Sequence, residues 1–379
     1  MTFLITVAAG VLVVALAHLV AGWGLSSGLH RGALLVQPRV KELAVRVRGT
    51  SQTRITLEAP APRQDIGHPG VLGLVWDGGH ARLGDVVSVE GMQVTRLYEP
   101  LVGTPPICVG DLEDCPPVEI DPWVFPAGPG DAGLDHELVS YQSPLGPMSA
   151  WLVPGGTGDR WAILCHGWTA DKRELVRMLP SFHRAGYTTM VIDYRNDTEA
   201  PADPSGRYRF GLSEWEDLEG AVRWALDYGA GSVVVGGCST GGALAMAFLE
   251  MSPLAGRIAG VYLDAPNIAL AETVRHGTRE RRITPLMFEV GLWIADLRWG
   301  IDWDATNFVE RAGATLTVPT LVFHGTSDLV VPISVSRRLA AVAPDVVQLV
   351  ETPAAGHVMS WNAGPKRYEG ILEEFLGRL

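Results

Sequence analysis

The stretch that most restricts what this chain can fold into is "SVVVGGCSTGGALAMAFL", Ser232 to Leu249. An apolar β-branched run breaks into a turn in which Gly236, Gly237, Gly241 and Gly242 surround Cys238, Ser239 and Thr240, and a helix-forming run follows at once. A hydroxyl lifted above a sheet edge needs a very sharp turn, with almost no room for neighbouring side chains. Glycine two before and two after the serine supplies that room, and G-x-S-x-G between a strand and a helix is the context that makes a five-residue match informative. The helix starting there also aims its positive end at the reacting centre.

The rest of the chain is organised to suit such a turn. From Leu138 onward, strands alternate with helices: "MSAWLV", "WAILCHG", "TTMVIDY", "SVVVGG", "IAGVYLD", "VPTLVFHG" and "VVQLVET" read as strands, with helices at 172–184, 213–228, 241–251, 333–343 and 366–376. That order predicts a doubly wound, mostly parallel α/β sheet over residues 137–379. Residues 40–135 read instead as a small β-rich region, in which short runs such as "TRITLEA" and "QVTRLYE" are separated by Gly, Pro and Asp clusters. No catalytic set is visible there; His68 and His80 read as solvated loop histidines.

A serine hydroxyl is a poor nucleophile at neutral pH unless a base takes its proton, so the chain must supply a histidine and an acid. Asp328 in "VFHGTSDLVVP" and His357 in "PAAGHVMSWN" follow the last two predicted strands, which puts both on the sheet edge that carries Ser239. His357 is expected to act as the base and Asp328 to orient it. Asp264 in "YLDAPN" is the competing acid. Acyl transfer also needs donors for the developing oxyanion. The backbone NH of Thr240 is one, and "AILCHGWTADK" offers the NH of Trp168 as the other, with His166 orienting that loop.

With "CHGW", "GCSTGG", "HGTSD" and "AGH" in place, the chain resembles the α/β-hydrolase superfamily over residues 137–379. More narrowly, "DYRNDTEAPADPSGRYRFGLSEWEDLEGAVRWAL" followed by "GCSTGG" is similar to membrane-anchored or secreted actinobacterial hydrolases near the serine aminopeptidase and prolyl-oligopeptidase-type groups. The resemblance implies esterase or peptidase chemistry without a defined substrate. Members of this fold that use an elbow aspartate are excluded by Ser239. The sequence holds no HExxH, paired CxxC or Walker loop, so no metal or other cofactor is expected.

Specificity is expected in an insertion at about 267–313, a helical lid carrying "VRHGTRERR" and "PLMFEVGLWIADLRWGIDWD". Trp293, Trp299 and Trp303 are candidates for an acyl pocket or for packing the lid onto the body. Arg195, with Asn196 and Asp197, is a candidate either to border the pocket or to hold the long loop to Phe210 by local hydrogen bonds. Arg275, Arg279, Arg281 and Arg282 fit either an anionic ligand group or a solvated helix face. Trp361 is a candidate support for the His357 loop.

Residues 1–30 contain no Asp, Glu, Lys or Arg, and the apolar run from Phe3 to Leu25 exceeds the roughly 20 residues that cross a bilayer as a helix. A transmembrane anchor is the expectation; a secretory signal would normally place Lys or Arg ahead of a shorter run, although Ala15-Leu16-Ala17 offers a cleavage site. Two signals about its orientation conflict. Arg31, Arg39 and Lys41 after the span favour a cytoplasmic main domain, whereas Cys108 and Cys115, bracketed by proline pairs, would suit a disulfide in an oxidising compartment. The formal charge of -12 excludes a nucleic-acid partner. The function expected is therefore that of a serine hydrolase on a carboxylic ester, lipid or short peptide, at the cell membrane or secreted. Peptidase action and acyl transfer use the same residues, and a non-catalytic membrane-anchored binding protein is the reading from another class.

Overall fold

The computed structural model describes residues 2–36, 45–59, 66–111, 114–156, 158–279 and 283–379. Arg39, Lys41, Arg281 and Arg282 lie outside the described residues. The chain opens with helix α1 (Thr2–Leu29), whose outer surface is apolar and exposed along most of its length, and ends it in a wide turn at His30–Leu34.

Among the described residues, the β-rich region forms a six-stranded sheet. Its strands are β1 (Arg46–Thr50), β2 (Arg54–Glu58), β3 (Leu72–Trp76), β4 (Gly79–Glu90), β5 (Gln93–Val102) and β6 (Glu119–Asp121), in the order β1-β2-β5-β4-β3-β6. Alternation drives it: Val47, Ile55, Leu57, Leu72, Leu74 and Leu83 share one buried face. Cys108 and Cys115 are joined as a disulfide beside this sheet. Arg96 is fully buried and donates to the carbonyls of Ile66, His68, Gly70 and Gly84, and burial pulls its pKa down to about 10. It ties the segment 66–70 to the sheet.

Among the described residues the second sheet has eight strands: β7 (Glu137–Ser143), β8 (Gly146–Val153), β9 (Arg160–Cys165), β10 (Thr188–Ile192), β11 (Ser232–Cys238), β12 (Ile258–Asp264), β13 (Thr320–Gly325) and β14 (Val347–Thr352), in the order β14-β13-β12-β11-β9-β10-β8-β7. Only β8 runs against its neighbours β7 and β10; the remainder is parallel. Strands buried on both faces read as unbroken apolar runs. Along β11, Val233 and Val235 enter one core while Val234 enters the other, and β12 repeats this with Val261 and Leu263 against Tyr262.

Helices α2 (Leu179–Arg184) and α10 (Pro365–Gly377) cover one face; α3 (Trp215–Asp227), α4 (Thr240–Met251), α7 (Phe308–Thr315) and α8 (Ser334–Val342) cover the other. Between β12 and β13 the chain adds α5 (Leu270–Thr278) and α6 (Pro285–Trp299), and the short α9 (Ser360–Ala363) precedes α10. One expected helix differs. The run at 172–184 is a tight 3-10 segment, Lys172–Met178, before α2 begins, because Pro180 cannot donate inside a continuous helix. The segment "ELVSYQS", to which the sequence assigned no element, is strand β7, an edge strand whose exposed, mostly polar residues leave only Tyr141 fully buried.

Candidate active site

Ser239 sits between β11 and α4 with φ 50° and ψ -114°, a backbone state that residues with a Cβ seldom adopt. The flanking glycines are required by contact rather than by flexibility. A Cβ on Gly237 would stand 1.9 Å from the carbonyl oxygen of Cys165, and one on Gly241 would stand 2.1 Å from the same atom. The turn is thus pressed against β9. It is locked on its other side, where the Ser239 amide donates to the Asp264 carbonyl at 2.9 Å and Asn267 donates back to the Ser239 carbonyl at 2.9 Å.

His357, in the loop after β14, has Nε2 2.9 Å from Ser239 Oγ and Nδ1 2.7 Å from Asp328 Oδ2. With Nδ1 donating to the carboxylate, Nε2 is left to accept the serine proton. Asp328 Oδ1 in turn accepts the amides of Val330 and Val331 at 2.8 and 2.9 Å. Burial alone would raise the Asp328 pKa, but hydrogen bonds from His324 and His357 outweigh it and hold the carboxyl well below the usual carboxylate range. Burial pushes His357 down, and the bond and charge of Asp328 more than offset this, so its pKa is raised.

His324 was not foreseen as a site residue, although it stands in "HGTSD". It is fully buried on β13, with Nδ1 2.7 Å from Ser336 Oγ and Nε2 3.3 Å from Asp328 Oδ2. From the insertion, His276 on α5 lies with Nε2 3.1 Å from the Asp328 carbonyl oxygen. Asp264, the competing acid, is fully buried behind the turn. Its Oδ2 accepts from Tyr368 at 2.8 Å, its Oδ1 has no partner among the described residues, and burial raises its pKa to about 6. It makes no hydrogen bond to His357 among the described residues.

The loop after β9 comes up against the turn. A Cβ on Gly167 would meet the Ser239 Cβ at 3.1 Å, and the Gly167 amide donates to Glu174 Oε2 at 2.6 Å. Trp168 follows directly, and Thr240 is the first residue of α4, so its amide has no intrahelical acceptor. His166 is buried under this loop, with Nδ1 2.9 Å from the Gly167 carbonyl oxygen and Nε2 2.9 Å from Asp197 Oδ2. Burial lowers its pKa, but the Asp197 charge lifts it to about 9, and both ring nitrogens face oxygen acceptors. His166, Asp193 and Asp197 bring potential metal-ligand atoms within 4.8 Å of one another. The set is nonetheless an ion-pair cluster: both ring nitrogens are occupied, and the Lys172 ammonium lies on Asp193.

The candidate pocket residues divide. Arg195 takes the loop-holding role: it is 3% exposed, and its guanidinium is held by Asp217 at 2.8 Å and Glu216 at 2.9 Å. It anchors the loop after β10 to α3. Trp299 stacks on His30 at 3.7 Å and donates from Nε1 to Ser26 Oγ at 3.2 Å, so it fastens α6 to α1. Trp293 and Trp303 line an open cavity of about 580 Å3 together with Leu292, Ile301, Glu272 and Arg275. Ser239 is not among the residues of that cavity. Trp361 packs beneath the His357 loop and donates to Glu369 Oε1 at 3.0 Å.

The family described as "Alpha/beta hydrolase family" matches residues 162–369, and a domain of unknown function matches residues 46–105. An uncharacterized protein of Mycobacterium tuberculosis is 26% identical over 216 residues, 55% of this chain and 68% of its own. Among solved structures, an esterase of Pyrococcus furiosus is similar with a TM-score of 0.53 at 20% identity, covering 67% of this chain and 96% of its own. At that identity the likeness concerns the fold.

Proposed function

The chain belongs to the alpha/beta hydrolase family, and from that premise we propose that it hydrolyses carboxylic esters through an acyl-enzyme on Ser239. The observation that carries this reading is the hydrogen-bonded run Asp328, His357, Ser239, with links of 2.7 and 2.9 Å. In the first step Ser239 Oγ attacks the ester carbonyl while its proton passes to His357 Nε2. Asp328, ionised, stabilises the imidazolium that forms. The tetrahedral oxyanion takes hydrogen bonds from the amides of Thr240 and Trp168, each worth about 3 kcal/mol. Its collapse expels the alkoxide, which leaves with the His357 proton. Water then repeats the sequence on the acyl-enzyme, releasing the acid and restoring Ser239.

The solved Pyrococcus furiosus structure of the same fold carries the name esterase; an amide substrate would use the same three residues, and the choice between the two is left to the kinetics. We read residues 267–313 as a lid, since α5 reaches the Asp328 loop through His276, and α1 as a membrane anchor. A fluorophosphonate probe tests the nucleophile. Labelling of the full chain in detergent is expected to vanish in Ser239→Ala, with the melting temperature unchanged. Asp328→Asn is expected to lower turnover of p-nitrophenyl esters by on the order of 10^3-fold or more. Labelling that persists in Ser239→Ala, or turnover that survives it, overturns the reading.

A further inference from the structure

Helix α6 pairs lengthwise with the last turns of α1. A Cβ on Gly22 would lie 2.7 Å from Val290 and 3.1 Å from Ile294, and one on Gly291 would lie 2.4 Å from Leu25. Glycine on each helix is what permits this approach. Further along, Arg298 Nη1 donates to Ser27 Oγ at 2.8 Å while its guanidinium lies 3.7 Å from the Trp23 ring. Contacts advance together on both helices, so the two run in the same direction. By the rise of a helix, Leu286 is therefore level with residues about four before Gly22, inside the apolar run.

The rest of α6's surface is ordered around that contact. At about 100° per residue, Leu286, Trp293 and Leu297 form one stripe next to the α1-facing Val290 and Ile294. The three are 59%, 55% and 65% exposed. Glu289 and Asp296, both exposed, border the stripe on the side away from α1. On α1 the neighbouring surface is also apolar and open, with Leu16 60% and Val20 65% exposed. The stripe thus continues the outer surface of the candidate span, and a Trp with an Arg over it marks the depth at which apolar chain meets water.

The same elements reach the candidate active site. Leu29 and Leu34, after the apolar run, enter one buried cluster with Tyr208, Phe210, Leu270 and Ala295, and Trp168 packs against it. Residue 168 is also next to Gly167, which abuts Ser239.

We propose that α6 lies in the membrane–water interface beside α1, its Leu286, Trp293 and Leu297 face covered by lipid, and that the ester reaching Ser239 is one whose acyl chain resides in the bilayer. This rests on the ester-hydrolase reading and on α1 as a span. The occupant is the bilayer because the stripe is continuous with an apolar helix long enough to cross it and ends at charged residues. A solvent-facing helix gives no reason for that boundary.

The test uses the full chain in phosphatidylcholine nanodiscs, with and without brominated acyl chains. The Trp emission that Trp293→Phe removes, taken as a difference spectrum, is expected to be quenched at least two-fold by brominated lipid; an unquenched difference overturns the placement of α6. The substrate is tested with Leu286→Glu/Leu297→Glu, measured on p-nitrophenyl acetate in solution and on a diacylglycerol embedded in vesicles. Turnover of the soluble ester is expected to stay within two-fold and that of the embedded ester to fall at least ten-fold. Equal loss on both, or loss on neither, overturns entry from the bilayer. If the parent turns over neither ester, the hydrolase reading fails and takes the substrate claim with it, while quenching still decides where α6 lies.

Discussion

Ser239 holds a φ of 50° between two glycines that no other residue can replace without striking the Cys165 carbonyl. Strained backbone of this kind costs on the order of 1–3 kcal/mol and persists where the surroundings impose it. The histidine beside it sets the pH response. In the proposed mechanism His357 must be neutral to take the serine proton, and its pKa is raised above 6.5 by the bond and charge of Asp328. Protonation below that pKa removes the base, so kcat/KM is expected to rise with pH through a single step above 6.5, measured on a soluble ester from pH 5 to 9. A step below 6.5 contradicts the Asp328–His357 coupling. Stability runs the opposite way: the bond favours the protonated ring, so its contribution is full below pH 6.5 and is lost as pH rises through the raised value. These residues were legible because each lies just after a strand, in motifs of a few residues. Between the two roles open to Arg195 the sequence could not choose: its neighbours mark a loop, but its partners Glu216 and Asp217 lie on α3, 21 and 22 residues later.

At the scale of elements, the loop that carries His357 is held by parts of the chain that do no chemistry. Arg177, 1% exposed in the segment before α2, donates to the Val358 carbonyl at 2.8 Å, to Asn362 Oδ1 at 2.8 Å and to the Pro122 carbonyl at 2.7 Å. Asn362 then donates to the Val71 and Pro122 carbonyls at 2.7 and 2.8 Å, and a Cβ on Gly70 would strike its carbonyl oxygen at 2.0 Å. The six-stranded sheet and its linker therefore clamp the segment 358–362. Arg177→Met takes this donor from the Val358 carbonyl and Asn362 Oδ1, while the Pro122 carbonyl keeps Asn362, and is expected to destabilise the chain by about 3 kcal/mol. Because it frees the His357 loop, kcat is expected to fall roughly ten-fold or more with KM nearly unchanged. Urea melts and steady-state kinetics check the two parts, and full kcat in a destabilised variant would reduce Arg177 to a packing role. None of this was legible, since an arginine in "RELVRM" looks like any solvated helix charge.

For the whole molecule, α1 is a packing partner as well as a long apolar helix. Removing residues 1–29 uncovers Val290, Gly291 and Ile294 and strands Arg298 without Ser26 and Ser27. The truncated chain is expected to melt roughly 5 °C or more below the full chain in the same detergent and to scatter light without it; equal melting temperatures would mean that α1 only tethers. By itself the sequence determined the doubly wound sheet, the sharp turn at Ser239, the positions of Asp328 and His357 and the apolar run at the N-terminus. Each of these is written in periodicity or turn chemistry within about ten residues. Only the tertiary structure decided that Asp328 and not Asp264 meets His357, that Trp299 faces α1, that Arg177 binds the His357 loop, and that α6 pairs with α1. Those outcomes depend on contacts between residues tens to hundreds of positions apart. They are selected by mutual packing and by the need to pair buried polar groups, and no local pattern records them.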